Sequence, residues 1–123
     1  MKYLTENHII MLHLKLTEQG EFRLRDEKLL LSAVNEPFQT FDGNEIYPTT
    51  TEKAVRLGYE LIKNHPFFDG NKRIGAHAML ISLALNNIEL DYADYELINI
   101  IMETASSEKS YDDLLEWVKN HSL

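Results

Sequence analysis

The sequence contains no cysteine, so neither disulfide bonds nor thiolate metal sites can contribute to its fold or chemistry. It also lacks a long hydrophobic run, and no stretch approaches the roughly 20 apolar residues that span a bilayer. Residues 1–7 have no apolar core of the kind found in a secretory signal peptide. No internal repeat, low-complexity tract or linker is present. These absences predict a cytoplasmic protein that folds as one domain over residues 1–123, with no membrane contact.

Positive charge is scarce. The formal net charge is −8, and this excess of acidic side chains argues against direct nucleic-acid binding, which depends on neutralising phosphates with Lys and Arg. No Lys or Arg occurs between Ile74 and Glu108. Lys63, Lys72 and Arg73 are therefore expected to form a local positive patch in an acidic protein. Such a patch can be an ordinary solvated face, but this one coincides with a loop followed by an apolar helix.

Apolar residues at helical spacing predict six helices, and local capping signals predict where most of them begin. The predicted helices run from a Thr5 cap to Gly20, from Glu27 to Asn35 after an Asp26 cap, from the Thr49–Glu52 capping box to about Asn64, from the motif below to Asn86–Asn87, from Asp91 or Asp94 through Met102, and from a Ser110–Asp113 cap through Val118. The sequence therefore predicts a compact all-α domain.

One short segment favours β-structure. Residues 38–41 and 45–47 are β-formers on either side of Asp42-Gly43-Asn44, and this pattern predicts a hairpin. Two strands alone are marginally stable, so such a hairpin flap would gain from packing on the body or on a bound chain. An irregular connector is the alternative that the residues leave open.

The nonapeptide His65–Arg73, with the sequence HPFFDGNKR, has the marks of a polar loop, and the residues from Ile74 onward are apolar on nearly all sides. A loop that opens onto a buried helix leaves the first backbone N–H groups of that helix free, and these donors form an anion site. Lys72 and Arg73 stand at this point, and a guanidinium can bind phosphate through two parallel hydrogen bonds. The sequence therefore predicts a phosphate-binding junction.

Two further side chains of the nonapeptide suit phosphoryl or nucleotidyl transfer. Asp69 is the only acid between Lys63 and Arg73, so it is placed to hold a divalent cation against a phosphate. His65 can act as a general base, because histidine exchanges a proton near neutral pH. A metal-dependent phosphohydrolase fits less well, because one carboxylate and one His supply too few ligands for a two-metal site.

Taken singly, most residues of the nonapeptide have a structural explanation. Phe67 can be a loop anchor, Asn71 the N-cap of the fourth helix, Asp69-Gly70 a turn, and His65 a cap of the third helix. These explanations leave Lys72 and Arg73 unaccounted for beside a buried helix. The patterns favour ordinary roles elsewhere: His8 and His13 as common helix side chains, Arg25 as a local partner of Asp26, and His77 as a buried structural residue.

The nonapeptide resembles the signature of the Fic/Doc superfamily, and Asn71-Lys72-Arg73 is similar to its Doc (death-on-curing) branch. The larger Fic branch usually has Gly at the position of Lys72 and a second Arg at that of Ala76. The resemblance extends to the opening helix, to Leu24-Arg25-Asp26 and to Tyr47-Pro48-Thr49. It covers essentially the whole chain.

The resemblance implies a toxin of a toxin–antitoxin pair that uses ATP and Mg²⁺. Doc proteins transfer the terminal phosphate of ATP to a Thr hydroxyl of a translation factor of the elongation factor Tu class, which halts translation. Carried over to this chain, the roles are His65 as general base, Asp69 as the Mg²⁺ ligand, Gly70, Asn71, Lys72 and Arg73 as the residues that bind and orient the phosphates, Phe67 as the loop anchor, and residues 41–47 as the flap that aligns the target.

Two departures from the Fic branch refine this expectation. Without an Arg at Ala76, and with Lys72 filling space that a Gly would leave, the nucleotide is expected to bind reversed and to present its γ-phosphate. His77, one helical turn after Arg73, could replace the missing Arg in part, although a buried structural role is favoured. AMP transfer, and a catalytically silent module that binds an antitoxin, remain the alternatives. The sequence also lacks the inhibitory Ser/Thr-x-x-x-Glu-Gly/Asn segment, because Thr17–Glu21 is followed by Phe22 and Thr104–Glu108 is followed by Lys109. Restraint is therefore expected from an antitoxin whose disordered, basic tail folds on binding.

Overall fold

The computed structural model describes residues 1–16 and 24–123, and helices account for most of them. The helices are α1 (Glu6–Leu16), α2 (Glu27–Asn35), α3 (Thr50–Asn64), α4 (Asn71–Leu85), α5 (Asp94–Ala105) and α6 (Tyr111–His121). The all-α class with six helices and a hairpin is confirmed for this part of the chain. The expected helix end at Gly20 and the segment Thr17–Glu21 lie outside it. None of the helices described is long and apolar enough to cross a membrane.

Side-chain caps fix the start of four helices, as the sequence predicts. Thr5, before α1, accepts a hydrogen bond from the His8 amide at 3.3 Å. Asp26 accepts a hydrogen bond from the Leu29 amide at 3.2 Å. Thr49 accepts one from the Glu52 amide at 3.1 Å, and Ser110 accepts one from the Asp113 amide at 3.2 Å. Each cap satisfies a backbone donor that has no partner within its helix. The starts of α1, α2, α3 and α6 are therefore set by local sequence.

Helices α3 and α4 form the central pair of the fold, with core side chains on both sides. One core cluster joins them to α5 and α6, and the other joins them to α1 and α2. The two helices approach closely because Gly58 and Gly75 face each other. A Cβ on Gly75 would lie 2.5 Å from Ile62 Cγ1 and 2.8 Å from the Gly58 carbonyl oxygen. This contact sets the position of α4, whose first turn carries the motif.

Replacing Gly75 by Ala is expected to destabilise the protein by about 1–3 kcal/mol, the usual range for overpacking a core. The sign of this stability change is informative, because a Gly-to-Ala replacement in an unconstrained helix stabilises the protein by about 1 kcal/mol. Urea unfolding monitored by circular dichroism measures the difference. Equal or greater stability of the variant would show that α3 and α4 are not in contact here.

The hairpin consists of two short strands, β1 (Thr40–Phe41) and β2 (Asn44–Glu45), paired antiparallel. Both loop residues have positive φ, 52° at Asp42 and 80° at Gly43, as a two-residue type I′ turn requires. The strands are shorter than the β-forming runs, because Phe38 belongs to a 3₁₀ turn that follows α2. The buried Lys53 of α3 donates to the Tyr47 carbonyl and pairs with Glu45 at 3.0 Å. The flap is therefore tied to the body.

The end of α6 is joined to the start of α5 by an ion pair between His121 Nε2 and Glu96 Oε2, which lie 3.0 Å apart. The second ring nitrogen, Nδ1, donates to the Trp117 carbonyl at 2.7 Å. The hydrogen bond to Glu96 is the largest cause that raises the pKa of His121 above its usual value of 6.5. The hydrogen bond from the Ala93 amide, followed by that from His121, lowers the pKa of Glu96 below 4.5.

The stabilising effect of this pair is therefore expected to depend on pH. The His121 contribution is fully present below about pH 6.5 and is lost as pH rises through the raised pKa of the folded state. The Glu96 contribution is present above about pH 4.5 and is lost as pH falls through its lowered pKa. The difference in melting temperature between the wild type and His121→Gln should thus be largest between these values. A difference that grows above pH 8 would contradict the assignment.

Candidate active site

The segment that joins α3 to α4, the junction loop His65–Gly70, begins and ends with a left-handed residue. His65, which follows α3, has φ 51° and ψ 56°. Gly70, which precedes α4, has φ 79° and ψ 15°. Glycine adopts this conformation freely, whereas a residue with a Cβ needs support from its surroundings. The conformation of His65 therefore has to be held by other parts of the protein.

Arg25 supplies that support from a position 40 residues earlier in the chain. Its Nε donates to the His65 carbonyl at 2.6 Å, and its Nη2 donates to the Asn64 carbonyl at 3.0 Å. The backbone amides of Arg25 and Asp26 both donate to the Pro66 carbonyl, at 2.7 and 3.0 Å. The expected local pair of Arg25 with Asp26 is wrong: Asp26 caps α2, and Arg25 binds the end of α3.

Asn71 closes the junction loop from inside. Its Oδ1 accepts from the Phe67 amide at 3.0 Å, and its Nδ2 donates to the Phe67 carbonyl at 2.8 Å. Phe67 is 1% exposed and Asn71 is 8% exposed, so these bonds are shielded from water. Asn71 was expected as the N-cap of α4, and this is corrected by the structure. Gly70 occupies the cap position, and the Asn71 side chain turns back to the loop.

His13 of α1 packs against the junction loop. The sequence pattern favoured a common helix side chain here and did not predict this contact. Its ring stacks on the ring of Phe67, with centroids 3.7 Å apart and planes 7° apart. Its Nε2 lies 2.8 Å from the Asp69 carbonyl oxygen. The sequence carried one signal of this role: His13 is four residues after the buried Ile9, so both lie on the inner face of α1.

The His65 ring is exposed and lies at the edge of a cleft. Its Nδ1 is 3.1 Å from the Lys63 carbonyl oxygen. Because a carbonyl can only accept, Nδ1 carries the proton in this contact, and in the neutral ring Nε2 keeps its lone pair. The geometry therefore leaves His65 with a nitrogen that can accept a proton from a bound hydroxyl group.

The N-terminus of α4 opens into the same cleft without a capping side chain from the described residues. The Gly70 amide donates to Asp69 Oδ1 at 2.8 Å, and the next amides, those of Asn71, Lys72 and Arg73, belong to the first turn of α4. Amides of a first turn have no acceptor within their helix and favour an anion. This end of α4 has the character of a phosphate site.

The expected patch of three cations is divided in the structure, so that prediction is corrected. Lys63 binds the end of α5, where its Nζ lies 3.5 Å from both the Thr104 and the Ala105 carbonyl oxygens and donates to the Ser107 hydroxyl. Arg73 Nη1 donates to the Leu16 carbonyl at 2.8 Å, at the end of α1. Lys72 and Arg73 both line the cleft, whereas Lys63 does not.

The cleft has a volume of about 870 Å³, enough for a nucleotide-sized ligand. One wall is the polar junction loop with the first turns of α4. The opposite wall is the apolar face of α5, formed by Leu97, Ile98, Ile101, Met102 and Ala105. His77 is exposed on the α4 side, so its expected buried role is wrong. Sequence reasoning did not identify α5 as part of the site.

The carboxylate of Asp69 is the candidate metal ligand of the cleft. It is exposed, and only its Oδ1 is engaged within the described residues, by the Gly70 amide. Among residues 1–16 and 24–123, no three His, Cys, Asp or Glu side chains are grouped as a metal site. This part of the chain therefore has no metal site in which three or more such side chains are the ligands. Mg²⁺ fits the arrangement, because it is usually held by one or two carboxylates together with substrate phosphates.

Two comparisons with known proteins give a match. The model of the Fic/DOC family matches residues 3–83, which include the junction loop and nearly all of α4. A curated relative, Toxin Doc of Mycolicibacterium smegmatis, is 38% identical over 78 residues. The matched segment covers 63% of this chain and 59% of the relative, which is less than two thirds of the relative's length.

Proposed function

Because the chain belongs to the Fic/DOC family, we propose that it is a cytoplasmic toxin of a toxin–antitoxin pair. It transfers the γ-phosphate of ATP to a Thr hydroxyl of a translation factor of the elongation factor Tu class and so halts translation. The similarity to Toxin Doc of M. smegmatis supports the toxin assignment. The observation that carries the proposed chemistry is the cleft in which His65, Asp69 and the open end of α4 meet.

His65 acts as the general base in this proposal. Its Nε2 takes the proton of the target hydroxyl as the hydroxyl oxygen attacks the γ-phosphorus, and ADP leaves. The hydrogen bond from Nδ1 to the Lys63 carbonyl supports this role, because it fixes the tautomer that keeps Nε2 available. Arg25 is then a positioning residue, since it binds the carbonyls of Asn64 and His65.

The first turn of α4 binds the nucleotide phosphates. The amides of residues 71–73 donate to phosphate oxygens, and Gly70 lets the chain enter the helix in its left-handed conformation. Lys72 and Arg73 add positive charge, with Arg73 leaving or sharing the Leu16 carbonyl when a phosphate binds. Asp69 holds Mg²⁺, which supplies charge neutralisation to the phosphates. Phe67 and Asn71 keep the loop in this conformation.

Two observations favour γ-phosphate transfer over AMP transfer. Ala76 lies on the cleft wall, where the Fic branch usually presents a second arginine that would hold further phosphate oxygens. Lys72 occupies the position of the usual glycine and lines the cleft. Both changes favour a nucleotide bound with its terminal phosphate toward His65. The alternative of AMP transfer uses the same His65 and the same cleft.

The proposed partners are the target protein and an antitoxin. The flap, anchored through Lys53 and Glu45, presents Phe41 with 77% of its surface exposed and would align the target segment. A cognate antitoxin with a disordered basic tail would bind the acidic toxin and restrain it. A catalytically silent antitoxin-binding module would keep these surfaces without transferring phosphate.

Labelled ATP separates these possibilities. Purified protein is incubated with elongation factor Tu, Mg²⁺ and ATP labelled at either the α or the γ position. We expect label on the target only from γ-labelled ATP. Transfer from the α position would replace the kinase assignment by AMP transfer. Toxicity on expression that survives fully in His65→Ala would favour the silent module.

A further inference from the structure

We propose that His13 is a positioning residue, which holds the main chain at Asp69 and Gly70 in the conformation needed for phosphate and metal binding. This inference rests on the proposed function for its catalytic consequence, although its structural consequence can be measured without any activity. It assigns to α1, a helix outside the nonapeptide, a direct part in shaping the site.

The first support is a hydrogen bond between distant parts of the chain. His13 is 1% exposed, and its Nε2 lies 2.8 Å from the Asp69 carbonyl oxygen, 56 residues later. The carbonyl only accepts, so Nε2 carries the proton and donates. The bond thus fixes the peptide between the residue proposed to hold Mg²⁺ and the residue that begins α4. Loss of the donor would release that peptide.

The second support is packing on both sides of the loop. The His13 ring stacks on Phe67, the buried residue whose backbone Asn71 holds. A Cβ on Gly70 would lie 3.4 Å from His13 Nε2, so the ring also abuts the left-handed residue. One imidazole therefore contacts the loop at Phe67, Asp69 and Gly70.

The third support is that core packing alone does not explain a histidine here. Among the described residues, His13 Nδ1 is a buried nitrogen without a hydrogen-bond partner. Burying an unpaired polar atom is unfavourable, and an apolar residue of similar size would avoid it. The same helix contacts the site a second time, through the Leu16 carbonyl that accepts from Arg73. An apolar ring at this position could also stack on Phe67 and stabilise the core. The N–H donor of the imidazole is explained only by its hydrogen bond to the Asp69 carbonyl oxygen.

Three variants test this role. His13→Phe keeps a flat ring on Phe67 and removes the donor, whereas His13→Gln keeps an N–H donor of similar reach. Ile9→Val is the matched control, because Ile9 lies one turn earlier on the same buried face and belongs to the same core cluster as Phe67. Circular dichroism first establishes that each variant is folded and gives its melting temperature.

The structural readout is hydrogen exchange at the amides of Phe67, Gly70 and Ile74, which bond to Asn71 Oδ1, Asp69 Oδ1 and the Gly70 carbonyl. We expect faster exchange in His13→Phe, with His13→Gln closer to the wild type and Ile9→Val unchanged after correction for stability. Unchanged exchange in His13→Phe would overturn the inference, whatever the activity of the protein.

The catalytic readout is γ-phosphate transfer with kcat and KM measured separately. His13→Phe should lower kcat about 10- to 100-fold, because a displacement of about 1 Å in a positioned group has effects of this size. His13→Gln should recover part of the rate, and Ile9→Val should transfer at the wild-type rate. A His13→Phe rate equal to that of Ile9→Val would overturn the positioning role. An inactive wild type would instead refute the proposed function and leave the exchange experiment as the test of His13.

Discussion

The His65→Ala variant is expected to transfer phosphate about 10²- to 10⁴-fold more slowly than the wild type, the range typical of a positioned general base. The expectation follows from the ring geometry, in which Nδ1 is held by the Lys63 carbonyl and Nε2 is left as a proton acceptor at the cleft. ATP affinity should change little, because His65 is not among the proposed phosphate ligands. The loss should therefore appear in kcat rather than in KM for ATP.

Two other histidines provide controls for this variant. His8→Ala removes an exposed imidazole of α1 that bonds to Thr5 and lies outside the cleft lining, so its rate should equal that of the wild type. His77→Ala removes the second imidazole that lines the cleft, and its effect should be much smaller than that of His65→Ala. Transfer by His65→Ala at more than about one tenth of the wild-type rate would exclude His65 as the general base.

Asn71→Ala is expected to destabilise the protein by about 2–4 kcal/mol and to abolish the site along with the loop conformation. The change leaves both the amide and the carbonyl of the buried Phe67 without their partners, and each unsatisfied group costs about 1–3 kcal/mol. This is a large part of the total stability of a domain, which is typically about 5–15 kcal/mol.

Urea unfolding measures the loss of stability in Asn71→Ala. A second substitution at the same position and a control substitution on the surface show whether the two hydrogen bonds to Phe67 cause it. Asn71→Asp keeps an acceptor for the Phe67 amide and loses the donor to the Phe67 carbonyl, so its stability should be intermediate. Asn99→Ala, at an exposed position of α5, should unfold within about 0.5 kcal/mol of the wild type, as most surface substitutions do. A similarly small change in Asn71→Ala would contradict the role of this side chain in closing the loop.

Local sequence signals predicted the features that local interactions determine. The caps at Asp26, Thr49 and Ser110 are bonds between residues three positions apart, so the sequence shows them directly. The change from polar loop to apolar helix at Ile74 likewise predicted that α4 would begin at the motif and be central. The family resemblance added the expectation of a Fic/Doc fold, which the six helices, the hairpin and the family match confirm.

Sequence reasoning did not find the contacts that hold the site from outside the motif. Arg25 is 40 residues from His65, and His13 is 56 residues from Asp69. No spacing rule brings such pairs together before the packing of α1 and α2 on α3 and α4 is known. A polar residue on the buried face of an amphipathic helix needs a hydrogen-bond partner. The sequence could therefore have indicated that His13 makes a specific contact, but not that the contact is with Asp69.

Errors arose where one residue had two plausible partners. Asn71 follows a turn, which favours a capping role, yet Gly70 takes the cap and Asn71 binds Phe67. Lys63 is near the motif in sequence but binds the end of α5. His77 was expected to be buried because α4 is apolar on nearly all sides; α4 nevertheless has one side on the cleft, and His77 lies there, exposed.

In the proposed function, nucleotide phosphates bind at the first turn of α4, and the roles of His65, Asp69 and Arg73 depend on that binding. Titrating ¹⁵N-labelled protein with ATP and Mg²⁺ tests it directly through the backbone amide resonances. We expect the largest saturable chemical-shift changes at the amides of Gly70, Asn71, Lys72 and Arg73. In Arg73→Ala, we expect smaller changes at these amides. Saturable binding that leaves these four amides unchanged, or the absence of any ATP-dependent shift, would contradict the account.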